Sequence, residues 1–185
     1  MKVQLVSTYH GVTDTDGNIN TLPTARPVTF HSWSLIDEMK LSTHLMRRRG
    51  GPEANWETSG LYEEEDYCRL AIYDEPDVEV RVGQRHDDFA SLRPGESWRW
   101  SQWMNSPTWM DIALPRDSMP GDVFRSRVER AEVDWWDWGG MEEHSETAVK
   151  VPCYIKGDVT EPKDNGGRPR LQVPASEWFE FTLIE

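Results

Sequence analysis

Asp134 and Asp137 stand among three indoles in the run Asp134-Trp135-Trp136-Asp137-Trp138. Apolar walls penalise the charged form of a carboxyl group, raise its pKa and make it a candidate general acid. Indole faces also attract a cationic ligand or a cationic transition state. His144, a little downstream, could assist as base. Such a set could run an acid–base step on a small apolar molecule, an isomerisation or a cyclisation, without a cofactor. The same residues have a plainer reading. The tryptophans would be core and rim residues, and the aspartates would hydrogen-bond backbone in the adjoining turn.

Seven of the ten tryptophans fall between Trp98 and Trp138, so one region holds most of the indole surface. Trp98 and Trp100 are two apart, which puts them on one face of a strand as core or as a ligand platform. The stretch from Gln102 to Thr108, with Met104, Asn105 and Pro107, reads as a loop that would leave Trp103 and Trp109 partly exposed. Exposed aromatic loops are a common means of binding a partner. Two functional classes follow. One is a non-catalytic binding module that presents Trp98, Trp100, Trp103, Trp109, Trp135, Trp136 and Trp138 to a protein or an apolar small molecule. The other is a small cofactor-independent enzyme that uses Asp134, Asp137 and His144.

Other chemistries lack a signature. The histidines His10, His31, His44, His86 and His144 are scattered singly. The nearest ligand-like groupings, Glu142-Glu143-His144-Ser145-Glu146 and His86-Asp87-Asp88, do not match an ordered calcium loop, so no metal site is expected. There is no G-x-S-x-G elbow. Gly139-Gly140 and Gly166-Gly167 lack the spacing and lysine of a phosphate loop. Cys68 and Cys153 lie in apolar strand-like contexts and read as buried reduced thiols, with a pairing between sheets left open.

The formal net charge of −13 repels phosphate backbones and anionic membranes, which excludes both as general partners. The run Arg47-Arg48-Arg49 is the basic exception, either an anion-binding loop or a solvated one. No stretch approaches the ~20 apolar residues of a membrane span. The first residues alternate, and Asp14 interrupts before a secretory core could form. The expectation is a cytoplasmic chain. Its 185 residues suit one domain, over 1–185, of unspecified oligomeric state.

These residues need strands to position them. Period-two alternation predicts strands at Lys2 to Tyr9, Val28 to Ile36, Val78 to Val82, Glu96 to Trp103, Asp122 to Glu129, Thr147 to Lys156 and Glu177 to Ile184. Cys68 to Tyr73 reads as a buried strand. Glu132 to Trp138 reads as one strand with Val133, Trp135 and Asp137 facing one way and Asp134, Trp136 and Trp138 the other. Leu41 to Arg48 reads as one or two helical turns. Gly50 to Asp66 is polar, and its acidic run Glu63-Glu64-Glu65-Asp66 reads as a solvated loop, as does the flexible Asn165-Gly166-Gly167. Pro94-Gly95 and Pro120-Gly121 each mark a turn before a strand. Eight or so short strands with this punctuation predict an all-β fold, an antiparallel immunoglobulin-like β-sandwich with long loops, with a small barrel as competitor.

The segment from Phe89 to Ser97, with Leu92-Arg-Pro94-Gly95-Glu96-Ser97, resembles the L-x-P-G-E-S signature of immunoglobulin-like sandwich domains. It is similar to the amino-terminal sandwich of fungal deuterolysin-type zinc peptidases and to the sandwich of intracellular proteinase inhibitors. With Asp134-Trp-Trp-Asp-Trp-Gly139 and Asp164-Asn-Gly-Gly-Arg168-Pro169, the whole chain also resembles a group of fungal cytosolic proteins. The resemblance implies a fold. It does not imply peptidase activity, because H-E-x-x-H is absent: Glu143-His144 is followed by Ser145-Glu146. The inhibitor likeness would imply stoichiometric inhibition of an intracellular protease.

Overall fold

A computed structural model of the chain describes residues 2–10, 26–35, 43–59, 76–85, 87–103, 114–115, 117–128, 130–152 and 157–184. The described strands are β1 (Lys2–Thr8), β2 (Val28–His31), β3 (Thr43–Arg48), β4 (Glu57–Thr58), β5 (Val78–Arg81), β6 (Phe89–Leu92), β7 (Ser97–Trp103), β8 (Val123–Val128), β9 (Ala131–Val133), β10 (Trp136–Trp138), β11 (Ala148–Val151), β12 (Leu171–Val173) and β13 (Phe179–Thr182). Every pairing among them is antiparallel. The sheets run β1-β7, β10-β2-β6, β11-β5, β12-β9 and β13-β8-β3-β4. The fold class is all-β.

Most alternating segments form strands where the alternation predicts them. In β13 the pattern is half-buried Phe179 and Phe181 against exposed Glu180 and Thr182. Both proline–glycine turns form, with φ of +86° at Gly95 and +95° at Gly121. That is the left-handed region, which glycine enters without a Cβ penalty.

Three expectations change in ways that bear on the site. Residues 43–48 form β3, a strand where helical turns were expected. The register sets Leu45 opposite Ser126 and Arg48 opposite Val123, so pairing with β8 and β4 overrides the weak local preference. The segment 132–138 is two strands instead of one. β9 pairs with β12, β10 pairs with β2, and the chain breaks at Asp134 and Trp135. The break cancels the expected alternation, and Asp134, Trp135 and Trp136 are all buried. The strand expected over Val28 to Ile36 likewise stops at His31, and 32–35 form a helical turn. The expected strand at Cys68 to Tyr73, both cysteines and the acidic run lie outside the described residues.

The buried side chains form separate clusters. One gathers Val28, Phe30, Leu35, Ala131, Val133 and Trp136. A second holds Val80, Val82, Phe89, Trp135 and Val149. A third, under the four-stranded sheet, holds Leu45, Leu114 and Phe124.

Candidate functional site

The strand break turns Asp134 inward. Its Oδ1 lies 2.8 Å from His31 Nδ1, and its Oδ2 accepts the Val159 N–H at 2.5 Å. Burial pushes this carboxyl up. The hydrogen bond and charge of His31, the Val159 N–H and the Ser34 hydroxyl outweigh burial and hold it below its ordinary value. The expected general acid required the opposite direction. The correction has a plain cause: sequence proximity to indoles predicts desolvation, whereas His31, distant in sequence, supplies a compensating donor.

Asp137 is half-buried and sits in a different setting. Its Oδ1 accepts the Trp138 N–H and lies 2.6 Å from Arg168 Nη2. It therefore takes up the backbone of the next residue within β10, and an ion pair besides. His144 is buried, with Nδ1 3.0 Å from Thr147 Oγ1 and Nε2 3.1 Å from the Trp138 carbonyl. Both ring nitrogens are thus engaged. The histidine bonded to Asp134 is His31, and His144, the expected assisting base, is bonded to Thr147 and the Trp138 carbonyl instead.

The indoles divide as well. Trp135 packs edge-on against Phe89 at 5.4 Å and His144 at 5.9 Å in one cluster. Trp136 belongs to another cluster and donates its Nε1–H to the Pro169 carbonyl at 2.8 Å. Trp138 meets Trp136 edge-on at 5.3 Å and is 37% exposed. Trp98 and Trp100 are partly buried against the first cluster, so they share a face as expected and turn it toward the core. Trp103 ends β7, but its side chain, like all of Trp109, lies outside the description. Trp135 and Trp136 therefore do not share one open wall with Trp138.

A different aromatic constellation covers the outer face of the four-stranded sheet. β8 buries Phe124 and Ser126, which leaves Arg125 and Arg127 on the opposite face. Trp56 immediately precedes β4 and Trp178 immediately precedes β13, so an indole enters from each side of the sheet. The Arg48 guanidinium lies 4.6 Å from the Trp56 ring and that of Arg125 lies 4.4 Å from it. Arg125 is also 4.4 Å from Trp178, and Arg127 is 4.5 Å from Trp178. The order is Arg48, Trp56, Arg125, Trp178, Arg127. All five side chains are half-buried.

Arg125 turns its Nε and Nη2 to Met46 Sδ at 3.3 and 3.1 Å. Among the described residues no carboxylate pairs with it. Arg47 and Arg49, by contrast, are tied to Asp117, and Arg49 also to Asp122. Those contacts hold Asp117 below its ordinary value, the Arg47 hydrogen bond foremost. The basic run is thus split between β3 and its C-terminal flank, and two of its three residues are neutralised internally. Sequence reading missed this site because Trp56, Trp178 and Arg125 are far apart in the chain. The available signal was the Arg-x-Arg spacing in β8 beside an Arg-rich strand.

Among the described residues no three His, Cys, Asp or Glu side chains group as a metal site. A groove of about 230 Å³ lies along β5 and β11, lined by Glu79, Ala148, Val149, Lys150, Glu161 and Pro162. None of the expected site residues lines it. No helix among the described residues is long and apolar enough to cross a membrane. The chain matches no family model, no curated protein and no solved structure.

Proposed function

We propose that this protein is a non-catalytic binding module that meets its partner through the Arg–Trp face of the four-stranded sheet. The observation that carries this reading is Arg125, held between two indoles at 4.4 Å and without a carboxylate partner among the described residues. In a chain of net charge −13, a half-exposed cation of this kind is a local inversion of the surface field. Arginine and tryptophan are also the residue types that dominate binding energy at interfaces. The engagement of both Asp134 oxygens and both His144 nitrogens favours binding over acid–base chemistry. An immunoglobulin-like sandwich in the cytoplasm, presenting one sheet face to a protein, is the architecture this reading adopts.

The test is a set of indole N–H spectra of ¹⁵N-labelled protein during titration with a polyglutamate peptide, a polylysine peptide, an uncharged Gly-Ser peptide and an apolar dye. Shifts confined to the Trp56 and Trp178 resonances with the acidic probe are expected. Shifts confined to Trp98, Trp100 or Trp138 with the dye would move the site to the other indoles, and no response to any probe would remove the reading.

A further inference from the structure

We infer that Met46 is an oxidation site, and that the sulfoxide oxygen formed there is held by the Arg125 guanidinium. The inference stands apart from the binding reading, since no partner enters it. Met46 lies on β3 directly opposite Arg125 on β8, with exposed Thr58 of β4 opposite it on the other side. Leu45, one residue before, is buried, so Met46 sits on the outer face of the sheet. Its side chain is half-buried.

Arg125 Nε and Nη2 lie 3.3 and 3.1 Å from Met46 Sδ. These two nitrogens share one edge of the guanidinium, the edge suited to gripping both oxygens of a carboxylate. Here the whole fork is spent on a thioether, which is a weak acceptor. Among the described residues no carboxylate takes that fork. Glu180, the Cα partner of Arg125 on β13, is exposed and forms no ion pair with it. A cation so placed favours any change that turns the sulfur into a stronger acceptor.

Hydrogen peroxide makes that change. A lone pair of Sδ attacks one peroxide oxygen and the O–O bond breaks. The departing oxygen takes the proton left on the transferred one and leaves as water. The sulfur is oxidised to the sulfoxide and the peroxide is reduced. The sulfur must draw back from the fork to admit the new oxygen, which an unbranched side chain on the outer face can do. In a core a sulfoxide disrupts packing. Here it gains a charge-assisted bond in place of a weak one.

The experiment treats the whole ¹⁵N-labelled chain with hydrogen peroxide. Peptide masses give the sulfoxide at each methionine, and the Arg125 Nε–H resonance reads the guanidinium. Met119, which is 60% exposed, sets the rate of an open methionine. Met46 is expected to oxidise in the folded chain, behind Met119 by up to about tenfold, since two N–H···S bonds must open first. The Arg125 Nε–H signal should move in step, and its exchange with water should slow by roughly tenfold. Methionine sulfoxide reductases should reverse both changes. Met46→Leu keeps the side chain's volume, and the same treatment should leave its Arg125 signal still. Oxidation of Met46 only in urea overturns the inference. So does sulfoxide at Met46 with an unmoved Arg125 signal, or the same movement in Met46→Leu. If that variant does not fold, the wild-type time courses decide: the Arg125 movement must share the rate constant of Met46 and of no other methionine.

Discussion

His31 Nδ1 and Asp134 Oδ1 lie 2.8 Å apart in the interior, although 103 positions separate them in the chain. Their side chains are each 3% exposed. The pair ties the end of β2 to the break between β9 and β10. The second carboxylate oxygen reaches Val159, so a third segment is held at the same point. The His31 N–H also donates to the Trp135 carbonyl at 2.9 Å. This crossing of three segments sets the strand break, and the break in turn sends Trp135 and Trp136 into different clusters.

Asp134→Asn should therefore destabilise the fold by about 2 kcal/mol, the scale of a lost hydrogen bond to a charged group. Asp134→Ala leaves His31 buried without its partner and should cost about 4 kcal/mol. Urea unfolding midpoints measure both. A neutral Asp134→Asn would mean that the pair does not hold the break.

The pH dependence follows from the same carboxyl. Its folded pKa is below its unfolded value, with burial opposing the shift and the His31 bond, the Val159 N–H and the Ser34 hydroxyl outweighing it. A depressed folded pKa contributes stability above the unfolded pKa of about 3.9, and that contribution disappears as pH falls through the folded pKa. The stability of the wild-type chain should drop more steeply than that of Asp134→Asn from about pH 4 downward. Parallel acid limbs in urea titrations would assign the acid sensitivity to other carboxylates.

Burial sorts the indoles of the 134–138 run. Trp135 and Trp136 are 3% and 4% exposed, whereas Trp138 is 37% exposed. Trp135→Ala and Trp136→Ala should each cost about 4 kcal/mol as large-to-small core changes, and Trp138→Ala about 1 kcal/mol. Acrylamide quenching in single-tryptophan backgrounds gives an independent reading: Trp138 should be quenched well above the other two.

Gly83 is constrained by contact. A Cβ there would lie 2.7 Å from the Met141 carbonyl oxygen and from Ser145 Cα, and 2.8 Å from Ser145 N. These are backbone atoms of the turn at Met141–His144 and its flank, and they cannot rotate away. Gly83→Ala should cost about 2 kcal/mol by overpacking. It should also broaden the His144 ring signals, because the same turn carries that residue. A variant of unchanged stability would show that the two turns can separate without cost.

The ladder should register as coupling. A double-mutant cycle between Trp56→Ala and Arg125→Ala should give about 1 kcal/mol of interaction energy. Arg125→Lys should recover only part of it, since an ammonium lacks the planar face that stacks on an indole. Zero coupling would reduce the ladder to coincident proximity.

Period-two alternation in segments such as 179–183 determines that this chain forms strands, because each strand has one buried and one wetter face. The proline–glycine pairs at 94–95 and 120–121 determine where the chain turns, because a positive φ is open to glycine and closed to most residues. Those are local properties, so they can be read locally. The strand nature of 43–48 came from neighbours far along the chain, as did the break at Asp134–Trp135 and the inward turn of three consecutive side chains. Tertiary pairing decided them, since backbone groups must find partners and a strand boundary falls where the partner changes. The chemistry followed the same division. The acids and indoles of 134–138 were visible as a group, but the donor that keeps Asp134 ionised was His31. The Arg–Trp face was assembled from β3, β8 and the approaches to β4 and β13. Only the register of the four-stranded sheet brings those cations and rings together, because stacking acts over a few ångströms and is blind to separation along the chain.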